Sequence, residues 1–374
     1  MTARKSSKTR GPRDNRATAV KLSALAAGVV KEITAQKNPS VSIPLRTLAN
    51  VTYDRKKSII ELGDQTQGRS LFNVGQARKF MQTFLVASAC KELLEAKKTT
   101  SIRDLYYITK HTIGDTRQNT FEEQEESDPI IEDLEVTVDS LREEMNLFAS
   151  NRGAMVGGLT LVDSGDTIDL RRLGSGGWSV PSIVEANVIK FKKCDAEMIL
   201  LVEKDAVWRR LNEDKFWRQH KAILLHGQGM ASRGVRRLLY RMVNELNLPL
   251  YVLVDNDPWG FYIYSVVKQG SINLAYESVR MAVPQARFVG LSSFDQEKYD
   301  LPSNVTIRLD ETDERRAKQM LAYPWFHRKE WQRELEHMMK RGVKLELEAL
   351  SSKGISFISE EYLPKKLRDK QWLV

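Results

Sequence analysis

Met198-Ile199-Leu200-Leu201-Val202-Glu203, Ala222-Ile223-Leu224-Leu225-His226 and Leu250-Tyr251-Val252-Leu253-Val254-Asp255-Asn256-Asp257-Pro258-Trp259-Gly260 are the segments whose reading decides the fold. Each begins as a short apolar run and ends on polar residues. Between the second and third lies His226-Gly227-Gln228-Gly229 and then an amphipathic stretch, Ser232 to Leu246. The alternation of strand and helix argues for a parallel sheet with crossover helices. In such sheets ligands bind beyond the carboxyl ends of the strands. That edge would carry Glu203, Asp255 and Asp257.

Three acidic side chains in one crevice repel one another unless a cation sits among them. With no Cys or His ligand set beside them, these oxygens suit a hard ion such as Mg2+. Asp255 and Asp257 are two apart, so in extended backbone they share a face. Asp-Asn-Asp-Pro also has the composition of an ordinary turn. Glu203, at the end of a different strand, favours the metal site.

The 374 residues suggest two or three domains. Lys and Arg number 58 against 49 Asp and Glu, a net charge of +9, and the pI is near 9.3. A basic balance favours a polyanionic partner without naming it. Cys90 and Cys194 give neither a disulfide framework nor a zinc site, so a reducing, cytoplasmic setting is expected. No apolar run approaches the roughly 20 residues that span a bilayer, and the amino terminus lacks the apolar core of a signal peptide. No G-x-x-x-x-G-K-[ST] phosphate loop is present, so nucleotide hydrolysis of that class is not expected here.

Taken in order, residues 1–16 form a basic tail with too little apolar surface to offset the cost of ordering. Ala17 to Lys37 reads as a helix with an apolar stripe, and 39–72 as short strands, clearest at Ser40–Pro44 and Ser58–Leu62; residues 17–69 form one region. Val74 to Ala96 is a strong helix. Lys97-Lys98-Thr99-Thr100 is a turn, and Ser101-Ile102-Arg103-Asp104 starts the next helix in the manner of a capping box. Helix, tight turn and helix beside strands suggest a CAP-like winged helix-turn-helix over 70–150, its second helix presented to DNA. The acidic run 115–144 reads as a solvated connector leading into a helix over 130–148. Residues 151–186 connect the domains: Arg152–Leu161 and Asp166–Leu170 form a hairpin around Asp163-Ser164-Gly165, and Gly174-Ser175-Gly176-Gly177-Trp178 is a loop. The α/β unit runs over 187–374. It carries dense basic positions (Lys204, Arg209, Arg210, Lys215, Arg233, Arg236, Arg237, Arg241) and a helix over Trp331 to Lys340. Trp208 and Trp217 fit the core better than a base-stacking platform, and the Gly227-Gln228-Gly229 amides are a weak phosphate signal.

Arg103-Asp104-Leu105-Tyr106-Tyr107 is the second motif. A tyrosine can attack a phosphodiester, but a phenol of pKa near 10 is protonated at pH 7. It needs a cation nearby, a base, and charge stabilisation on the phosphate. Arg103 lies one helical turn before Tyr107. His111, four residues after it, is a candidate proton acceptor, although a solvated surface histidine is the plainer expectation. Ordinary amphipathic packing of Tyr106 and Tyr107 is the competing explanation.

Both motifs carry a family resemblance. Val202-Glu203-Lys204-Asp205, Gly227-Gln228-Gly229 and Val254-Asp255-Asn256-Asp257-Pro258-Trp259-Gly260 resemble the Toprim domain as it occurs in A subunits of DNA topoisomerase VI and in related meiotic double-strand-break proteins. Arg103-Asp104-Leu105-Tyr106-Tyr107 resembles the Arg-Asp/Glu-x-Tyr/Phe-Tyr motif of the same family, in which the last Tyr attacks DNA. Lys344-Leu345-Glu346-Leu347-Glu348-Ala349-Leu350 resembles a segment near the family's carboxyl terminus, with a structural role expected. The resemblance spans about 70–350. It implies Mg2+ held by Glu203, Asp255 and Asp257. It implies Tyr107, rather than Tyr106, as the nucleophile, with Arg103 stabilising the phosphate. The expected activity is reversible double-strand cleavage of DNA through a 5′-phosphotyrosyl link, serving ATP-dependent strand passage. The expected partners are double-stranded DNA, a second copy of the chain, whose metal site serves the first copy's Tyr, and the topoisomerase VI ATPase, or B, subunit in an A2B2 heterotetramer. The helix after residue 17 is a candidate contact for that ATPase. Three alternatives remain: a meiotic-type break-forming transesterase, a Toprim nuclease without a covalent intermediate, and a non-catalytic DNA-binding protein.

Overall fold

A computed structural model describes residues 15–374, so the tail expected over 1–16 lies almost wholly outside the described residues. The chain divides into two compact units. One takes the residues up to Val51 together with Leu62–Ser150; the other takes Thr52–Glu61 and Asn151–Val374. The strands grouped by sequence within 17–69 are thereby split. Ser40–Pro44 pairs antiparallel with Thr66–Ser70 in the amino-terminal unit. The hairpin of Val51–Asp54 and Ile59–Leu62 contributes most of its residues to the carboxy-terminal unit, where Tyr53 packs on Trp325 with ring centroids 6.0 Å apart.

In the amino-terminal unit, helix Asn15–Thr34 lays Leu22 into a core built by helix Val74–Glu95 (Val86, Cys90, Leu94), helix Ile102–Thr109 (Leu105, Tyr106) and helix Ser127–Thr137 (Ile130, Ile131, Leu134). Strand Thr100–Ser101 pairs in parallel with Leu147–Phe148 and closes the turn between the second and third helices. The single helix expected over 130–148 is not formed. It stops at Thr137; Asp139 takes left-handed backbone (φ 46°), a conformation that ends helices, and a 3-10 turn follows over Arg142–Met145. Nor is the acidic stretch a solvated connector throughout. Asp133 is buried and accepts from Arg46 Nε at 2.9 Å and from Arg69, and buried Glu135 accepts the Arg142 N–H at 2.7 Å. Charges leave water here because partners with matching geometry meet them.

The carboxy-terminal unit is built on a six-stranded sheet. In spatial order its strands are Trp178–Ser179, Ala154–Gly157, Ala222–His226, Met198–Val202, Leu250–Leu253 and Arg287–Phe288. The last four are mutually parallel. Every residue of Met198–Val202, Ala222–His226 and Leu250–Leu253 is buried, as suits parallel strands covered on both faces. Met198, Leu200 and Val202 point into one core cluster with Trp208, Leu211, Phe216 and Trp217, so both tryptophans are core residues. The run expected as one strand over 152–161 breaks at Gly157. Ala154–Gly157 joins the large sheet, while Leu159–Asp163 pairs with Asp166–Asp169 and Ile189–Cys194 in a three-stranded sheet. At Gly157 a side chain would collide with the Ala222 carbonyl, and the backbone sits at φ 139°. No described helix is long and apolar enough to cross a membrane.

Candidate active site

Strand Met198–Val202 is followed by its neighbour on one side, Ala222–His226, and then by its neighbour on the other, Leu250–Leu253. The strand order therefore reverses at Met198–Val202, and crevices at such reversals open beyond the carboxyl ends of the strands. Glu203 sits at that position, and its backbone is fixed from both sides. Its N–H donates to Leu253 O at 3.0 Å, and its carbonyl accepts the Gly229 N–H at 3.0 Å. The Glu203 side chain crosses to the third strand, where Oε2 accepts the Asp255 N–H at 3.2 Å.

Asp255 is buried, and the protein engages both its carboxylate oxygens. Oδ1 accepts the Leu347 N–H at 2.7 Å, and Oδ2 pairs with Lys204 Nζ at 2.9 Å. Asp257 caps helix Pro258–Gln269 by accepting the Gly260 N–H, with Pro258 at the first helical position, where a missing N–H costs nothing. Burial, with the Asp255 charge next, pushes the Glu203 carboxyl up to about 7. Burial also lifts Asp255 to about 6 against the pull of Lys204, and it raises Asp257. The structure thus gathers the three carboxylates at one strand edge and makes their joint ionisation costly. Among the described residues no three His, Cys, Asp or Glu side chains close on a point that would hold a metal as they stand. Asp255 Oδ2 is engaged by Lys204, and Asp257 caps its helix. The donor set remains all oxygen, which fits a hard divalent ion.

The residues missed by sequence reasoning come from Lys344–Leu350. This segment pairs with the Asp-x-Asp turn through Asn256 N–H to Leu345 O at 2.9 Å and Leu345 N–H to Asn256 O at 3.0 Å. It brings Glu346 and Glu348 to Lys204, at 3.1 and 3.0 Å. Lys344 pairs with Asp313 at 2.6 Å and lies in the field of Asp257. The signal was present: Lys344, Glu346 and Glu348 alternate with Leu345 and Leu347, the period of a strand with one wet face. Other expectations fail on local geometry. The Gly227 and Gly229 amides are spent on Val202 O and Glu203 O. Arg236 and Arg241 are buried, and Arg209, Arg210 and Arg237 pair with Asp205, Asp214 and Glu185, so much of the basic cluster faces protein. His226, at the end of its strand, lies against Trp208 with ring centroids 4.8 Å apart, and burial lowers its pKa.

In the amino-terminal unit, helix Ile102–Thr109 begins at Ser101, whose hydroxyl accepts the Asp104 N–H at 2.9 Å. Its two tyrosines differ sharply: Tyr106 is 6% exposed and Tyr107 60%. The Tyr106 hydroxyl donates to Glu122 O at 2.8 Å and accepts from Lys110 Nζ at 2.7 Å. Tyr107 and Arg103 are both exposed, one turn apart. His111 falls beyond the helix end, so the helical spacing that related it to Tyr107 does not hold; its N–H donates to Thr120 Oγ1 at 2.9 Å.

Comparison with known proteins covers the segments that hold both motifs. Residues 198–367 match the family model for the Toprim domain of topoisomerase 6 A subunits and Spo11, and residues 78–147 match the model "Type IIB DNA topoisomerase". The type 2 DNA topoisomerase 6 A subunit of Pyrococcus horikoshii is 44% identical over 94% of this chain and 94% of its own. That of Hyperthermus butylicus is 41% identical over 92% and 93%, and that of Methanocaldococcus jannaschii 32% over 94% and 95%. With identity at this level along nearly its whole length, the chain belongs to the family of type 2 DNA topoisomerase 6 A subunits.

Proposed function

We propose that this chain is the DNA-cleaving subunit of an ATP-dependent type IIB topoisomerase and that Tyr107 is its nucleophile. The observation that carries the assignment is the contrast on helix Ile102–Thr109. The Tyr107 hydroxyl is open to a substrate, whereas that of Tyr106 is buried in two hydrogen bonds. The Tyr107 oxygen attacks a backbone phosphorus and loses its proton. The bond from phosphorus to the 3′ oxygen breaks, and that oxygen leaves as a hydroxyl after taking up a proton. The DNA 5′ phosphate is then an ester of Tyr107. Attack by the same 3′ hydroxyl reverses the step, so the phosphoester energy is kept and resealing needs no added energy source. Arg103 holds the phosphate by charge.

Topoisomerases of this class use divalent metal, and here Mg2+ is proposed at Glu203, Asp255 and Asp257. When bound it supplies charge neutralisation at the phosphate and the leaving oxygen. The chain's own contribution is to fix Glu203 by its backbone and Asp255 through Leu347 N–H and Lys204. The helices Val74–Glu95 and Ile102–Thr109, with the short strand pair beside them, are proposed to act as a winged helix that seats duplex DNA. Two cuts in opposite strands need two tyrosines, hence a homodimer. Strand passage needs the separate ATPase subunit, in an A2B2 complex.

The test is trapping on labelled supercoiled DNA with Mg2+, the ATPase partner and a nucleotide analogue. Wild type and Tyr106→Phe should give a protein linked to 5′ ends; Tyr107→Phe and Asp255→Ala should give none. Cleavage without any adduct, surviving both tyrosine substitutions, would replace this reading with a metal nuclease.

A further inference from the structure

Lys204 occupies the turn between strand Met198–Val202 and helix Asp205–Glu213, directly after Glu203. Its ammonium meets three carboxylates from two other segments: Asp255 Oδ2 at 2.9 Å, Glu346 Oε2 at 3.1 Å and Glu348 Oε2 at 3.0 Å. Glu346 and Glu348 are half-exposed, while Leu345 and Leu347 between them are buried. The leucines and the backbone pairing to Asn256 hold the segment in place whatever the glutamates do. Asp255 Oδ1 is committed to Leu347 N–H, which leaves Oδ2 as the oxygen that Lys204 occupies.

We propose that Lys204 is the built-in counter-cation of this site: it competes with the divalent ion for Asp255 and withdraws onto Glu346 and Glu348 when the ion binds. The inference rests on the reading that Glu203, Asp255 and Asp257 hold the metal. An ammonium and a divalent ion at contact distance from one oxygen repel strongly in a partly buried setting. A lysine has a flexible four-carbon stem and can move its charge without moving the backbone. Glu346 and Glu348 already lie within ion-pair distance, so withdrawal gives up one contact of three. Without metal, Lys204 keeps the carboxylates from forcing the crevice open. With metal, the same charge is parked on the Lys344–Leu350 segment, which ties that segment to the loaded state. Lys204 is thus a positioning residue that acts through Asp255.

The two ends of this competition predict effects of opposite sign. Mg2+ binding to the full chain is measured by titration calorimetry, and thermal unfolding is followed with and without Mg2+. Lys204→Met removes the competitor and should tighten Mg2+ about five- to tenfold. Its metal-free Tm should fall and its Mg2+-induced rise should grow. Glu346→Gln with Glu348→Gln removes the parking place and should weaken Mg2+ by a similar factor. Lys204→Arg keeps the charge and should stay near wild type. Unchanged or weaker binding in Lys204→Met overturns the proposal. If that variant does not fold, the double glutamine variant decides, and unchanged or tighter binding there overturns it. Asp255→Asn separates the two layers. If it leaves Mg2+ affinity intact, the metal assignment fails and this inference with it; if it abolishes binding while the Lys204 and glutamate variants match wild type, only the inference fails.

Discussion

Tyr106 and Tyr107 are adjacent in sequence and opposite in setting, so their substitutions should separate stability from chemistry. Tyr106→Phe deletes the hydroxyl between Glu122 O and Lys110 Nζ and should cost about 1 kcal/mol, leaving the DNA adduct intact. Tyr107→Phe removes an exposed hydroxyl and should leave stability within about 0.5 kcal/mol while abolishing the adduct. Denaturant melts beside adduct trapping check both. A second buried group sets a pH dependence. Lys268 donates to Ala286 O at 3.0 Å and to Pro284 O, and burial, with Arg328 next, lowers its pKa from 10.5 to about 8. Between those two values the unfolded chain binds the proton that the folded chain has released. The Lys268 contribution to stability therefore rises with pH through that window, and below it the buried ammonium is a standing cost. Lys268→Met should flatten the rise by on the order of 1–3 kcal/mol, read as the difference between the two proteins' unfolding free energies at pH 8 and pH 10.5. An identical pH slope in both proteins would remove Lys268 as the cause.

At the scale of elements, the amino-terminal unit depends on a buried junction that no periodicity announces. Asp133, on helix Ser127–Thr137, joins Arg46, just after strand Ser40–Pro44, to Arg69 on strand Thr66–Ser70. Removing it leaves two poorly solvated guanidinium groups without their shared acceptor. Asp133→Ala should cost about 3 kcal/mol, seen as a lower urea midpoint. A loss under about 0.5 kcal/mol would mean that water already serves these arginines. This junction shows why an acidic stretch can read as solvated and yet be buried. Charge alone says solvent, and only the chain's return path brings Arg46 and Arg69 to Asp133. The parallel strands were legible because burial on both faces makes each a continuous apolar run, and Glu203, Asp255 and Asp257 were legible as the polar residues that end those runs. Glu346 and Glu348 were not, since their role depends on Leu345 pairing with Asn256, far earlier in the chain. Helix ends were less evenly legible: the cap at Ser101 marks a start that the sequence encodes, while the stop at Thr137 rests on left-handed backbone at Asp139, a residue with no strong stop signal.

At the scale of the whole molecule, the proposed nucleophile, Tyr107, and the carboxylates proposed to hold metal belong to separate compact units of one chain, and a double-strand break would need each of them twice. In the proposed dimer, the Tyr107 of one copy serves the metal carboxylates of the other. A mixed dimer tests this directly. One copy carries Tyr107→Phe, the other Asp255→Ala, and the heterodimer is isolated through two different affinity tags. If sites are shared between copies, one site receives both lesions and is dead. The other combines the intact tyrosine of the second copy with the intact carboxylates of the first and should cut one strand. The product is then nicked circular DNA carrying one covalently bound protein, with almost no linear DNA. If each copy instead used its own tyrosine and its own carboxylates, each site would carry one lesion and neither strand would be cut. The ATPase partner and a nucleotide analogue are present in both cases, so the number of broken strands reports only how the two copies share their chemistry. Nicks in the mixed dimer, with none in either parent homodimer, are the expected result; intact circles would assign both functions to a single copy.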